Sequence, residues 1–236
     1  MTAAEFPLLG REQEIARIVG ALSKPASLLL LGRPGAGKTR LLQAALETAG
    51  TNALYLLYRP RLHELLAELA RTLPTHGHLS APLSNQTSVR LKGVLWRAFE
   101  REPRVLILDG VRHASFPAYR FFQRLYHMGG MAIVAAARSI PDLGALGRLL
   151  WDPREMITLA PLSKDAAARL FEMAASKFDL SGLQLEEFRE KVLQNAQGNP
   201  GQIVEMCRRA ADPQYVSGTH VKFAPLRIDA MMKFVD

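Results

Sequence analysis

Gly32-Arg33-Pro34-Gly35-Ala36-Gly37-Lys38-Thr39 decides the fold. The octet fits the phosphate-binding pattern G-x-x-x-x-G-K-[ST]. Its flanks fit as well. Residues 27–31 (SLLLL) form an apolar run of strand length, and 40–49 (RLLQAALETA) are rich in helix formers. Glycines let backbone N–H groups turn toward phosphate oxygens, and the helix N-terminus adds partial positive charge. On this pattern Lys38 reaches the β- and γ-phosphates and the Thr39 hydroxyl ligates Mg²⁺. Gly32, Pro34, Gly35, Ala36, Gly37, Lys38, Thr39 and Arg40 are the candidate residues for holding ATP or ADP.

Outward from the loop, strand-like and helix-like segments alternate, which points to a parallel α/β sheet. Strands are expected at 27–31, 53–58, 104–109, 131–137 and 155–159, and helices at 62–72, 89–101 and 117–128. Residues 74–85 (PTHGHLSAPLSN) read as a loop. From Ser163 the pattern changes to three helices, 164–177, 184–196 and 201–211, with no strand between them. Ser163 is placed to cap the first, and Pro200 to start the last. The expected organisation is a five-stranded core over 1–161, a small helical lid over 162–211 and a C-terminal tail over 212–236. The tail ends in the apolar-rich RIDAMMKFV, read either as a docked helix or as the start of something longer.

Composition bounds the rest. Hydrophobic content of 48% and charged content of 22% are ordinary for a globular protein. No run approaches the roughly 18–20 apolar residues of a membrane span, and no signal peptide is visible. The single cysteine, Cys207, reads as a small core residue, and a reducing cytoplasm is the expected home. Net charge is +8, mostly from scattered arginine. That fits a polyanion partner such as nucleic acid or an anionic membrane, and equally a solvated surface facing ATP.

Asp109 closes the apolar run 105–108 and is the candidate second ligand for Mg²⁺ beside Thr39. Hydrolysis further needs a group that orients or deprotonates water. The residue after Asp109 is Gly110, and the acidic pair that could follow is replaced by Arg112 and His113. His113 is a weak candidate base. The chain is therefore expected to bind ATP and to hydrolyse it slowly.

Taken together, these residues resemble the AAA+ ATPases and the related signal-transduction ATPases with numerous domains (STAND, including NACHT and NB-ARC modules). The resemblance covers most of 8–211. Gly10-Arg11-Glu12-Gln13-Glu14-Ile15 is similar to the family's N-terminal box near the adenine, and 105–110 to its second box. Ala135-Ala136-Ala137-Arg138-Ser139 is similar to the sensor after the fourth strand, which places Arg138 toward the γ-phosphate. Gly198-Asn199-Pro200 resembles the lid motif in which proline approaches the nucleotide. The resemblance implies a five-stranded parallel P-loop sheet flanked by helices, a small α-helical lid, and cofactors ATP/ADP and Mg²⁺. It adds Gly10, Arg11, Arg138 and Pro200 to the nucleotide contacts, and Arg148 or Arg154 as a finger for a neighbouring subunit. The lid arginine that often follows the G-x-P motif is absent, since Gly201-Gln202 stands there.

The leading expectation is a nucleotide-dependent switch for assembly or partner recruitment, with nucleotide-dependent self-association and a protein partner. The alternatives are a DNA-associated regulator of transposition or replication type, and a membrane-associated scaffold held by the tail. A small-molecule kinase fits less well, because no acceptor-site signature is evident.

Overall fold

Aliphatic runs without polar alternation make strands that are buried on both faces. Five such runs pair in the computed structural model, which describes residues 6–51, 53–73, 85–129 and 131–234. They are Leu28–Leu31 (β1), Leu54–Leu57 (β2), Val105–Val111 (β3), Ala132–Ala137 (β4) and Met156–Thr158 (β5). The sheet order is β2-β3-β4-β1-β5 and every neighbouring pair is parallel. β1 lies between β4 and β5, with Leu30 opposite Ala136 on one side and Ile157 on the other. All residues of β1 and β4 are buried.

The helices that accompany the sheet are Glu12–Ser23 (α1), Lys38–Ala49 (α2), Leu62–Thr72 (α3), Ser88–Arg101 (α4) and Phe116–Tyr126 (α5). The apolar faces of α3, α4 and α5 close one core with the sheet, in which Leu65, Leu95, Phe99, Phe122 and Ile133 are fully buried. Ile18 of α1 and Leu41 and Leu42 of α2 are also fully buried. This is the α/β class expected from the alternating pattern. Three details differ from the expectation. β3 continues through Asp109 and Gly110 to Val111, because Gly110 takes φ +71° and the register shifts there as a bulge. Helix α1 follows the Gly10-Arg11 turn, and a kinked 3-10 helix spans Pro141–Arg148. The loop expected at 74–85 lies outside the described residues except for Asn85.

The chain divides into two compact units. One comprises 13–32 and 41–158 and holds the sheet; the other comprises the described parts of 1–12, 33–40 and 159–236. The second is built on Lys164–Lys177 (α6), Leu185–Ala196 (α7) and Pro200–Ala210 (α8). Ser163 Oγ accepts from Ala166 N at 3.2 Å, and Asn199 Oδ1 accepts from Gln202 N at 3.3 Å, so both helices carry side-chain caps. The turn before α8 needs left-handed backbone at Gln197 (φ 46°) and Gly198 (φ 74°). Beyond α8 come a two-stranded antiparallel pair, Val216–Ser217 (β6) and His220–Val221 (β7), and a last helix, Phe223–Met232 (α9). Leu226 and Ala230 of α9 join Phe171, Val192, Ile203 and Cys207 in the helical core. The tail is thus a docked helix of this unit. Cys207 is fully buried, and burial pushes its thiol up to about 12.

Candidate functional site

The phosphate loop belongs to the helical unit, and its shape follows from its glycines. Gly35 and Gly37 adopt φ +80° and +95°, values that a side chain would strain. Ala36 N donates to Arg33 O at 3.1 Å and closes the turn. Lys38 Nζ donates to the same carbonyl at 3.2 Å, so the ammonium lies folded over its own loop. Thr39 is exposed; Lys38 and Arg40 are half-buried, and burial lowers the Arg40 pKa.

The start of α8 sits directly on this loop. Asn199 Nδ2 donates to Pro34 O at 2.9 Å, and Gly201 N donates to Gly35 O at 2.9 Å. A Cβ on Gly201 would lie 2.7 Å from Gly35 Cα and 2.8 Å from its oxygen. No side chain fits there, which gives a steric reason for glycine at 201. Pro200, the first residue of α8, is thereby held beside the loop. Gly10 (φ +62°) turns the chain into Arg11, whose side chain is buried and donates to Ala160 O. The Gly10-Arg11 box therefore clamps the segment that leads into the lid.

In the sheet unit the carboxyl ends of β1, β3 and β4 lie side by side. They bring Gly32, Asp109 and Arg138 to one edge, the edge at which open α/β sheets bind ligands. Gly32 N donates to Ala137 O at 3.2 Å. Arg138 follows β4 and is exposed. Asp109 is 2% exposed. Its Oδ2 accepts from Tyr55 Oη at 2.6 Å, and its backbone oxygen accepts from Tyr58 N at 2.8 Å. Burial, then Asp109 itself, pushes the Tyr55 hydroxyl well above its usual range, which keeps it a donor. Sequence reasoning missed Tyr55; only the register of β2 against β3 reveals it. Replacing Tyr55 with phenylalanine removes a hydrogen bond to a buried carboxylate. The expected loss is about 1.5–3 kcal/mol of unfolding free energy in urea titration, and an unchanged midpoint would show that the bond contributes nothing.

The weaker candidates are more dispersed. His113 is exposed, has φ 45°, and donates its backbone N–H to Asp142 O at 2.6 Å. Asp142 also accepts from Ser139 Oγ at 2.5 Å, so this carboxylate braces the segment after β4. Arg154 is exposed and paired with Asp152 at 2.7 Å. Arg148 is exposed, with its guanidinium 5.7 Å from the Phe116 ring centre. Among the described residues, no three His, Cys, Asp or Glu side chains gather to hold a metal ion. A cation at Thr39 or Asp109 would need phosphate oxygens to complete its shell.

A family model for the AAA domain (dynein-related subfamily) matches residues 27–120. The ORC1 protein of Aeropyrum pernix, solved in complex with DNA, superposes with TM-score 0.63 at 16% identity over 96% of this chain and 66% of that one. Its fold is that of the AAA+ P-loop ATPases. A STAND protein of Pyrococcus horikoshii with a tetratricopeptide-repeat sensor gives TM-score 0.54 at 17% identity, over 97% of this chain and 33% of that one. The RuvB Holliday-junction branch-migration motor of Thermotoga maritima gives 0.56 at 14%, over 96% and 69%. The chain thus spans about a third to two thirds of these proteins. No curated protein matches it. Among the described residues, no helix is long and apolar enough to cross a membrane.

Proposed function

We propose that this AAA+ module binds ATP and works as a nucleotide-dependent switch for assembly or partner recruitment, with slow or partner-assisted hydrolysis. The observation that carries the reading is the pair of bonds from Asn199 and Gly201 to the phosphate loop. Phosphate and lid share that loop, so a ligand that draws its N–H groups and Lys38 outward changes the surface on which α8 rests. Such a ligand shifts an equilibrium only by its differential affinity for the two states, about 1.4 kcal/mol per tenfold.

The residues fit magnesium–ATP, which supplies the phosphoryl group and the cation. In this reading Lys38 and the loop N–H groups hold the phosphates and Thr39 offers its hydroxyl to the cation. Asp109, kept in place by Tyr55, offers a carboxylate to it. Arg11 and Gly10 anchor the lid entry, and Arg138 and Pro200 are further nucleotide contacts. Slow hydrolysis is supported by Gly110, whose φ of +71° disfavours a side chain where a base would stand.

The test combines two measurements. ATP, compared with ADP, is expected to change sedimentation or the protease-cleavage pattern. Turnover is expected to stay below the ordinary enzyme range, on the order of 1 s⁻¹. Identical sedimentation and cleavage with both nucleotides would remove the switch; turnover on the order of 10 s⁻¹ by the isolated chain would remove the slow-hydrolysis reading.

A further inference from the structure

The arginines are scattered, but the net positive charge is uneven along the chain. Residues 88–128 hold eight Lys and Arg against three Asp and Glu, so +5 of the chain's +8 falls in this stretch. One of the three acids, Asp109, is buried. The stretch contains α4 and α5, which pack side by side in the sheet unit through Trp96 and Phe121.

Helix α5 buries Ala118, Phe121, Phe122 and Leu125 and turns Phe116, Arg120 and Arg124 outward, four residues apart. At 1.5 Å rise per residue these three are stepped about 6 Å along the helix. Phe116 is 47% exposed, although two other phenylalanines of the same helix are fully buried. Its ring stacks on Tyr119, with centroids 5.4 Å apart. The guanidinium groups of Arg120 and Arg148 lie 5.2 Å and 5.7 Å from its centre, and that of Arg124 lies 4.0 Å from the Trp96 ring. Neither Arg120 nor Arg148 joins an ion pair among the described residues. Cation–π pairs occur roughly once per 70–80 residues in proteins. Here three arginines make such contacts on one face.

We propose that this face binds single-stranded nucleic acid, with Phe116 stacking an unpaired base and Arg120, Arg124 and Arg148 meeting the flanking phosphates. Bases have a π-face that any exposed ring can accept, and arginine adds both charge and stacking. A duplex keeps its bases stacked on one another, so the exposed ring would have no role against it. An acidic peptide would engage the arginines and leave the ring unused. The inference does not depend on the nucleotide switch, since every residue named lies away from the phosphate loop in sequence and in a different unit.

The test uses the whole chain without nucleotide and a fluorescein-labelled oligothymidylate of about 20 nucleotides, longer than the usual single-strand site, read by anisotropy at low salt. A duplex of equal length and a polyglutamate peptide serve as competitors. Binding is expected, with Phe116→Ala weakening it about 5- to 150-fold, the range spanned by a single base–aromatic stack. The double variant Arg120→Ala/Arg148→Ala is expected to flatten the slope of log affinity against log salt by about 1.4, or roughly 0.7 for each phosphate no longer neutralised. Circular dichroism confirms that the variants fold, and Arg227→Ala on α9 should bind as the parent does. The proposal fails if oligothymidylate does not bind at low salt, or if Phe116→Ala binds as tightly as the parent. It also fails if the duplex or polyglutamate is the stronger competitor.

Discussion

Replacing Lys38 with alanine is expected to lower ATP affinity by about 100-fold or more while leaving the fold intact. The ammonium donates to Arg33 O within its own loop, and its side chain is half-buried, so its removal opens no core cavity. A phosphate chain would receive at least two charge-assisted hydrogen bonds from it, each contributing about 1.5–3 kcal/mol. Two such bonds amount to about 3–6 kcal/mol, which sets the lower limit of the expected loss. Calorimetric titration of ATP with Mg²⁺ measures the affinity, and thermal unfolding checks the fold. Lys38→Arg should recover only part of the binding, because a planar guanidinium fork is a poor substitute for a compact charge. An affinity loss in the alanine variant of less than about threefold, under 1 kcal/mol, would mean that the loop does not hold the phosphates.

That prediction could be written from eight consecutive residues, and the reason is physical. A phosphate cradle is made from adjacent backbone N–H groups, so its whole signature sits in one short stretch. The sheet was legible for a related reason: strands buried on both faces show unbroken aliphatic runs, as in Leu28–Leu31 and Ala132–Ala137. Long amphipathic helices were equally plain, and Leu62–Thr72 and Lys164–Lys177 fall where their periodicity places them.

What stayed hidden depends on partners distant in sequence. Tyr55 reaches Asp109 only because β2 and β3 pair in one particular register. The need for glycine at 201 comes from the approach of α8 to Gly35, which no local pattern encodes. Asp109-Gly110 read as the end of a strand, since Asp-Gly favours turns, yet the pairing continues past it as a bulge. The strands β6 and β7 have two residues each, too short for any alternation to show.

Glu205 gives the second large effect, and it links lid stability to pH. Its side chain is 3% exposed and is met by three cations: Arg208 Nη2 at 2.5 Å, Arg209 Nε at 3.0 Å and Lys233 Nζ at 2.7 Å. Burial alone would raise the carboxyl pKa. Hydrogen bonds and charge from Arg208 and Lys233 outweigh it and bring the group down to about 2, from an ordinary 4.5. The folded value lies below the unfolded one. The carboxylate therefore stabilises the fold fully above about pH 4.5, and the contribution falls away as pH drops toward about 2. A shift of this size corresponds to about 3 kcal/mol before screening. Arg208 and Lys233 are 39% and 54% exposed, so water and salt reduce it to about 2 kcal/mol. Glu205→Gln keeps the shape, removes the charge and leaves three cations facing one another. It is expected to lower unfolding free energy by about 2 kcal/mol at pH 7, with the gap to the parent closing between about pH 4.5 and pH 2. Denaturant titrations at neutral and acid pH read both quantities. The effect bears on the site because α8 carries Glu205 at its middle and Pro200 and Gly201 at its start, where Gly201 is bonded to the phosphate loop. Lys233 also precedes Phe234, whose ring lies against Gly35 of that loop. A Glu205→Gln variant as stable as the parent at pH 7 would show that packing of α8 and α9, rather than this charge cluster, holds the tail on the lid.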